Sequence, residues 1–478
     1  MAKHGVYVTQ QATAGSASAV TVAESGIPFV IGTAPLQAAE EPAAVGVPIL
    51  VTGWADFVKK FGYSDDWEKY TLCEFAYSHF QLYGCAPAIF CNLVDPATMS
   101  AAVTAADMTV SDHRVKLPIE AINDSNLVVK PAGGSGTAYV KGTDYTVYYD
   151  GEYCVVEALS SGGCYSATSL NVAYKGVVTT SINAAAVATG MQAIDLCMTT
   201  VGHIPDLICA PGWSDVSSVA AVMATKAESL NGVFKCKAVV DLSTAASGGA
   251  DSYDEVASVK ATANLSDEDI VVCWPLAKLG ERTFHMSTHV AGLMAKVDTD
   301  NGGCPYESPS NKSLQIDSLV LASGAVVKQT KAQADTVVAA GVVTALNFLS
   351  SGWVCWGNYT AAYPDNADLK DYFIPISRMF GWVGNTLVQS FWKKLDKPMN
   401  RRLVDTILDA CNIWLNGLVG SGYMLGARAV MLDDENPLED LMAGIMKIHI
   451  YMTPPSPAQE IDFTLEYDAS YVSAAFQG

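Results

Sequence analysis

The amino-acid sequence predicts a multidomain chain of mixed α/β and α+β class with a small all-β insertion. Three observations carry that reading. Strand-like and helix-like runs alternate between Leu207 and Trp274, hairpin signals crowd the stretch from Arg114 to Lys175, and a long amphipathic helix precedes a closing strand of perfect period two. A chain of 478 residues also exceeds one ordinary core, since single domains run to about 100–200 residues. The expected divisions are an N-terminal arm at 1–23, an α+β segment at 24–110, a β-sandwich-like insertion at 111–178, an α/β domain at 179–345 and a C-terminal α+β domain at 346–478.

Taken in order, Val6-Tyr7-Val8-Thr9 is a short β-like run, and the small residues from Gln11 to Ala23 have no periodicity, which marks an arm. Ile27 to Gly32, Val47 to Val51 and Pro87 to Val94 read as strands. Glu68 to Leu82 reads as a helix with Leu72, Phe75, Ala76 and Phe80 on its apolar face. Inside the insertion, Asp150-Gly151 between two β-rich runs signals a hairpin.

Leu207 to Ala210, Lys237 to Val240 and Ile270 to Trp274 are the strands of the alternating region, with helices at Asp215 to Leu230 and Tyr253 to Ala261 between them. That order implies a mostly parallel sheet covered by helices. Val216, Val219, Ala220, Met223, Ala227 and Leu230 form one stripe, which fits packing on the sheet. Asp335 is a candidate N-cap for an apolar run, Val337 to Leu349, that reads as a buried core helix and is too short for the ~20 residues a membrane span needs. Pro398 opens the long helix, whose buried face is Leu403, Val404, Ile407, Leu408, Cys411, Trp414, Leu415 and Leu418. In the closing run Ile461, Phe463, Leu465 and Tyr467 face one way and Asp462, Thr464 and Glu466 the other.

Composition excludes several functions. Acidic residues number 49 against 28 basic ones, for a formal charge of −21, and such a field repels phosphate backbones and anionic lipid. Hydrophobic residues make up 50% and charged ones only 16%, against roughly 25% charged in a typical soluble protein, which suits a subunit of a large assembly. Met1-Ala2-Lys3-His4-Gly5 lacks the apolar stretch of a secretory signal, so the expected site of synthesis is the cytoplasm. The 12 cysteines occur singly in apolar runs with no Cys-x-x-Cys pair and read as buried reduced thiols.

Chemistry-bearing motifs are sparse. His285 and His289 have the i, i+4 spacing of a zinc pair, but Met286 stands where a metalloprotease carries its Glu. Asp433-Asp434-Glu435 lacks calcium-loop spacing. Gly133-Gly134-Ser135-Gly136 is followed by no Gly-Lys-Ser/Thr, and Gly420-Ser421-Gly422 follows a helix rather than a strand. No catalytic residue, metal ligand or cofactor is assigned.

Several segments in order resemble the tail-sheath proteins of contractile-tailed phages and related contractile bacteriocins. They are His4-Gly5-Val6-Tyr7-Val8, Ile27 to Pro35, His203 to Gly212, Trp356-Gly357-Asn358-Tyr359-Thr360, the helix with Arg401-Arg402, and the ending from Gly444 to Tyr467 with its Pro-Pro break. The resemblance implies a subtilisin-like α/β central domain without a catalytic triad, because no Ser stands at a Gly-Thr-Ser helix start and His203 is followed by Ile-Pro. It implies hexameric rings stacked helically around an inner tube, contraction that drives the tube through a cell envelope, and a tail tube, baseplate and terminator as partners, with no nucleic acid and no membrane span. Assembly in a bacterial cytoplasm followed by residence in a virion tail or released particle goes with it.

In such a sheath the terminal strands cross between subunits. The expected exchange residues are Val6, Tyr7, Val8, Ile461, Phe463, Leu465 and Tyr467, and the polar stripe Arg402, Asp405, Asp409 and Asn412 is the candidate tube-facing surface. The rival readings are another tail component, such as a baseplate or tube protein, and a cytoplasmic α/β enzyme.

Overall fold

A computed structural model of the chain describes residues 20–349 and 352–471, together with residue 475. An eight-stranded sheet organises it, in the order Trp353–Trp356, Val342–Asn347, Ile270–Cys273, Lys237–Asp241, Leu207–Cys209, Pro28–Gly32, Ala88–Asn92 and Ile49–Val51. The inner strands run parallel, and each edge strand lies antiparallel to its neighbour.

Side chains alternate across a strand, so each strand feeds two cores. Phe29 and Ile31 join Ile208, Val240 and Val272 on one face, under Val219, Met223 and Val256 of the helices Ser217–Glu228 and Val256–Thr262. Val30 joins Cys209, Val239 and Val271 on the other, under Leu72, Phe75 and the helix Met286–Asp300. Of the expected stripe on the first helix only Val216 stays exposed; Val219, Ala220, Met223, Ala227 and Leu230 are buried. All 12 cysteines are buried and free of disulfides.

The segment expected as one helix from Glu68 begins at Thr71 and changes pitch, running as α-helix over Thr71–Ala76 and as π-helix over Tyr77–Leu82. The insertion consists of two three-stranded antiparallel sheets, Ser100–Thr109, Ser169–Val177 and Val128–Pro131 in one and Arg114–Pro118, Tyr153–Ala158 and Tyr145–Tyr149 in the other. Val115, Leu117 and Val156 of one meet Val129, Leu170 and Val172 of the other. Its first strand starts at Ser100, upstream of residue 111. Gly151 takes the hairpin turn at φ +95°, a left-handed conformation that a side chain resists. The Gly133 amide is already taken by the Asp107 carboxylate, which leaves no open phosphate cradle there.

Val337 to Leu349 is not one helix. A helix covers Lys331–Ala339, capped by Thr330 and Gln333 in a capping box rather than by Asp335, and the chain then turns at Gly341 into the strand Val342–Asn347. Asp335 instead pairs with Lys331 and accepts the Trp356 indole N–H at 3.0 Å. Two β-branched valines after a glycine favour the strand, and the buried sheet position rewards it. Gly341 sits at φ +70°, where an added Cβ would lie 2.2 Å from the Tyr363 carbonyl oxygen and 2.8 Å from the Lys260 ammonium. That ammonium is held by the carbonyls of Ala340, Ala361 and Tyr363 at 2.8, 2.8 and 2.6 Å. Gly341→Ala is therefore expected to cost about 2–4 kcal/mol from backbone strain and overpacking, read as a lower urea midpoint with an unchanged slope.

Candidate functional site

The C-terminal unit is built on the helix Arg401–Gly420. Pro398 lies outside it; Asn400 is the N-cap, its side chain accepting the Leu403 N–H at 3.0 Å. Ile407, Ala410, Cys411, Leu415 and Leu418 are buried, while Leu403, Val404, Leu408 and Trp414 are only partly so. Against this face lies a two-stranded antiparallel sheet, Gly426–Val430 and His449–Thr453.

The two outer edges of that sheet differ. On the first strand Ala429 spends both backbone groups on the Asn412 amide, N–H to Oδ1 and C=O from Nδ2, each at 2.9 Å. In an antiparallel ladder, a residue that turns its backbone groups outward faces one that does the same, so Ile450 opposite Ala429 presents its N–H and C=O on the second strand's free side. The Asn436 amide closes the intervening loop by bonding the backbone of Leu432 and Lys447.

After Thr453 the chain leaves through Pro454, Pro455 and Pro457, with Pro454 buried and the Tyr359 hydroxyl donating to Gln459 Oε1 at 2.7 Å. Beyond that point no strand forms among the described residues. Ile461, Phe463, Leu465 and Tyr467 are 71, 85, 95 and 80% exposed. Val6, Tyr7 and Val8 lie outside the described residues.

Of the expected tube-facing stripe, Arg402 and Asp409 are exposed, and Asp405 pairs with Arg401 at 2.9 Å. Asn412 does not belong with them: it is half-buried and ties its helix to the sheet. A polar residue on an amphipathic helix points to solvent only if no backbone edge lies beside it, and the helix pattern alone does not disclose that edge.

The groups that most resemble catalytic ones lie at the carboxyl ends of the parallel strands, where strand order reverses. His285 Nδ1 meets Glu74 Oε2 at 2.8 Å. The hydroxyls of Ser214 and Ser287 both donate to Asp241 Oδ2 instead, at 3.0 and 2.5 Å, so the described hydrogen bonds join no serine to the imidazole. His289 bonds the Tyr83 hydroxyl at 2.9 Å, away from His285. Among the described residues no cluster of three metal-ligating side chains occurs, and no helix is long and apolar enough to cross a membrane.

A second feature had no counterpart in the sequence reading. The helix Ile374–Phe391 receives the start of the described chain along one face. Arg378 bonds Ser25 Oγ at 3.2 Å, Asp206 at 2.7 Å and Asp298 at 2.9 Å. Trp382 donates to the Ala23 carbonyl at 2.9 Å, Thr386 accepts the Ala23 N–H at 3.0 Å, and Ser390 accepts the Thr21 N–H at 2.9 Å. Arg378 as the one charged residue between Ile374 and Phe391 was the available signal for a buried ion pair.

No protein-family model matches the chain. It is 26% identical over 490 aligned residues to the tail sheath protein of Burkholderia phage BcepMu, covering 98% of this chain and 97% of that one. Its fold matches the helical sheath of the anti-feeding prophage in its contracted state with a TM-score of 0.60 at 16% identity, covering 97% of this chain and 99% of that one. A chain of the anti-feeding prophage baseplate gives 0.58 at 15% identity, with 98 and 99% covered. The relatives so named are structural tail sheath proteins, not enzymes, and the chain has the fold of such a sheath subunit. Over nearly its whole length the chain is thus similar to tail sheath proteins of contractile-tailed phages, and it shares the fold of a contractile sheath subunit.

Buried histidines set an expected pH dependence. Burial pulls His79 and His289 each down to about 3, and neither His79 ring nitrogen has a partner among the described residues. Burial also opposes charge on His285, but Glu74, Asp241 and Asp215 outweigh it and push the group up to about 10. The unfolded chain binds more protons at His79 and His289 between pH 6.5 and about 3, so stability falls as pH drops below 6.5. The His285 contribution is fully present below 6.5 and is lost as pH rises through about 10. At pH 5 each of the first two should cost about 2 kcal/mol relative to pH 7. His79→Leu is expected to halve that acid loss in urea melts at the two pH values.

Proposed function

We propose that the chain is the repeating subunit of a sheath of helically stacked hexameric rings around a tail tube, joined at its ends to a baseplate and a terminator. Contraction of that sheath drives the tube through a target cell envelope, and no direct contact with nucleic acid is required. The reading places assembly in a bacterial cytoplasm and the finished product in a virion tail or released contractile particle. The observation that carries it is the alternating apolar run Ile461 to Tyr467, extended and exposed, on a unit whose two-stranded sheet has an open edge.

Strand exchange follows from that pairing of features. In this reading Ile461, Phe463, Leu465 and Tyr467 of one copy add to the sheet of another, and Val6, Tyr7 and Val8 do the same from the opposite end. The bound Ala429 edge makes the His449–Thr453 strand the better acceptor. About five backbone hydrogen bonds at ~0.5–1.5 kcal/mol each do not offset ordering at ~1–2 kcal/mol per residue. Burial of Ile461, Phe463 and Leu465, worth roughly 1.5–3 kcal/mol each, decides the balance.

The α/β domain in this reading is a subtilisin-like scaffold that has kept no triad, consistent with both serines bonding Asp241. The insertion projects from the outer surface. Its fastening to the body at one end, through Lys69 and Glu120 and through the Gly151 carbonyl to Asp65 N–H at 3.1 Å, fits that placement.

Removal of Met1 to Ala23 is expected to give soluble, folded monomers by light scattering; long polymers from that deletion would remove the exchanged arm from the reading. Arg402, Asp405 and Asp409 remain the candidate tube contacts. Charge reversal at Arg402 and Asp405 is expected to weaken copolymerisation with tube by tenfold or more while sparing tube-free sheath, and unchanged tube capture in a pull-down would exclude that helix face.

A further inference from the structure

The chain enters the fold along a ladder in which three residues of the entering segment meet four residues of one helix. Arg378, Trp382, Thr386 and Ser390 stand four apart on the helix Ile374–Phe391, so successive rungs rise by about 6.0 Å. Ser25, Ala23 and Thr21 stand two apart on the entering segment. Ala23 bridges two successive helical turns, through Trp382 and Thr386, while Thr21 and Ser25 meet one turn each. The segment runs antiparallel to the helix, from Thr21 at Ser390 to Ser25 at Arg378.

The rungs are graded. At the outer end Thr21 is exposed and Ser390 half-buried, and a single hydroxyl serves both the Thr21 N–H at 2.9 Å and its carbonyl at 3.1 Å. In the middle Ala23 is buried between Trp382 and Thr386, with one neutral bond to each. At the inner end Ser25 joins a buried ionic node of Arg378, Asp206 and Asp298, and the next alternate residue, Ile27, gives its N–H to Asp206 at 2.8 Å. Charge-assisted bonds in a buried setting outlast neutral bonds at an exposed rim. Tension on the chain before residue 20 would therefore break the ladder from Ser390 inward and stop at Arg378.

We propose that residues 20–24 form a peelable strap, and that the helix Ile374–Phe391 is the rail from which it is released when a neighbouring subunit draws on the N-terminal arm. This rests on the sheath reading given above. Peeling moves the pivot of the arm from Ser390 to Arg378, twelve residues or about 18 Å along the helix. That travel lets linked subunits separate without breaking the linkage and without disturbing the α/β core, because the ionic node stays closed.

Two measurements on the full chain test it. Hydrogen exchange on the free protein should show graded protection, with the Thr21 amide exchanging at least tenfold faster than Ala23, and Ala23 at least tenfold faster than Ile27. One common rate for the three would overturn the graded ladder whether or not the protein assembles. Tails built with Thr21→Cys/Ser390→Cys can then be locked by oxidation and released by reduction, with wild-type tails treated alike as the control for native thiols. After a urea step, electron microscopy should find the contracted fraction at least tenfold lower in oxidised than in reduced tails. Equal contraction would overturn the strap while leaving the sheath reading intact, whereas failure of the wild-type chain to form tails would remove the sheath reading and leave the exchange gradient to decide the ladder.

Discussion

Arg378 places its guanidinium between carboxylates that come from distant parts of the chain, Asp206 at 2.7 Å and Asp298 at 2.9 Å, with the Ser25 hydroxyl at 3.2 Å. Asp298 stands in the last turn of its helix, where the helix dipole disfavours an anion, and burial pushes its pKa up; Arg378 pulls it back only in part. The same carboxylates hold the guanidinium in its charged form against its own desolvation. Loss of the arginine would leave two buried carboxylates unpaired, a change of roughly 3–5 kcal/mol. The node costs desolvation, and what it provides is registration, since it accepts only one mutual placement of the entering strap, the sheet and the C-terminal helices.

The rest of that seam follows the same rule. Asn385 on the same helix exchanges both amide groups with the Lys235 backbone, at 2.9 and 2.7 Å, and Ser377 accepts from the Lys237 ammonium at 2.7 Å. Lys237 is also paired with buried Asp269. The helix Ile374–Phe391 is thus fixed to the sheet by directional polar contacts, and its apolar side, Met379, Trp382 and Val383, is free to carry the core of the C-terminal unit. An apolar seam would tolerate sliding; this one does not, and the α/β domain and the Ile374–Phe391 helix behave as one body.

Much of this was legible in the sequence where a pattern reports burial directly. The strands around Phe29, Ile208, Val239 and Val271 read as apolar runs because both faces of a parallel sheet are covered. The hairpin at Gly151 was legible because only a special residue fits its turn. Two kinds of feature were not. Val337 to Leu349 is apolar throughout, so periodicity cannot separate a buried helix from a buried strand, and Gly341 was the only clue to the break. Asn412 looks like a surface polar residue until the tertiary fold brings a strand edge to it, and the partners of Arg378, two carboxylates from distant parts of the chain, are equally hidden in the sequence. The helix Ile374–Phe391 was missed for a related reason: with Pro375, Gly381 and Gly384 inside it, propensity argues against it, and packing overrides.

The C-terminal unit differs from the rest in what it leaves unsatisfied. Exposed large apolar side chains gather there, with Trp392, Leu395, Leu438 and Met442 at 59, 60, 72 and 80% exposure. A two-stranded sheet is marginal by itself, and this one leans on a single helix through Ala427, Ala429, Ile450 and Met452. Its outward backbone groups at Ile450 are of the kind an added strand would pair. The same segment that lacks a partner, Ile461 to Tyr467, has the strict alternation such a position demands, one face apolar and one polar. The three prolines between Thr453 and Ala458 oppose a tight return of that segment onto the open edge, because each fixes φ and offers no donor.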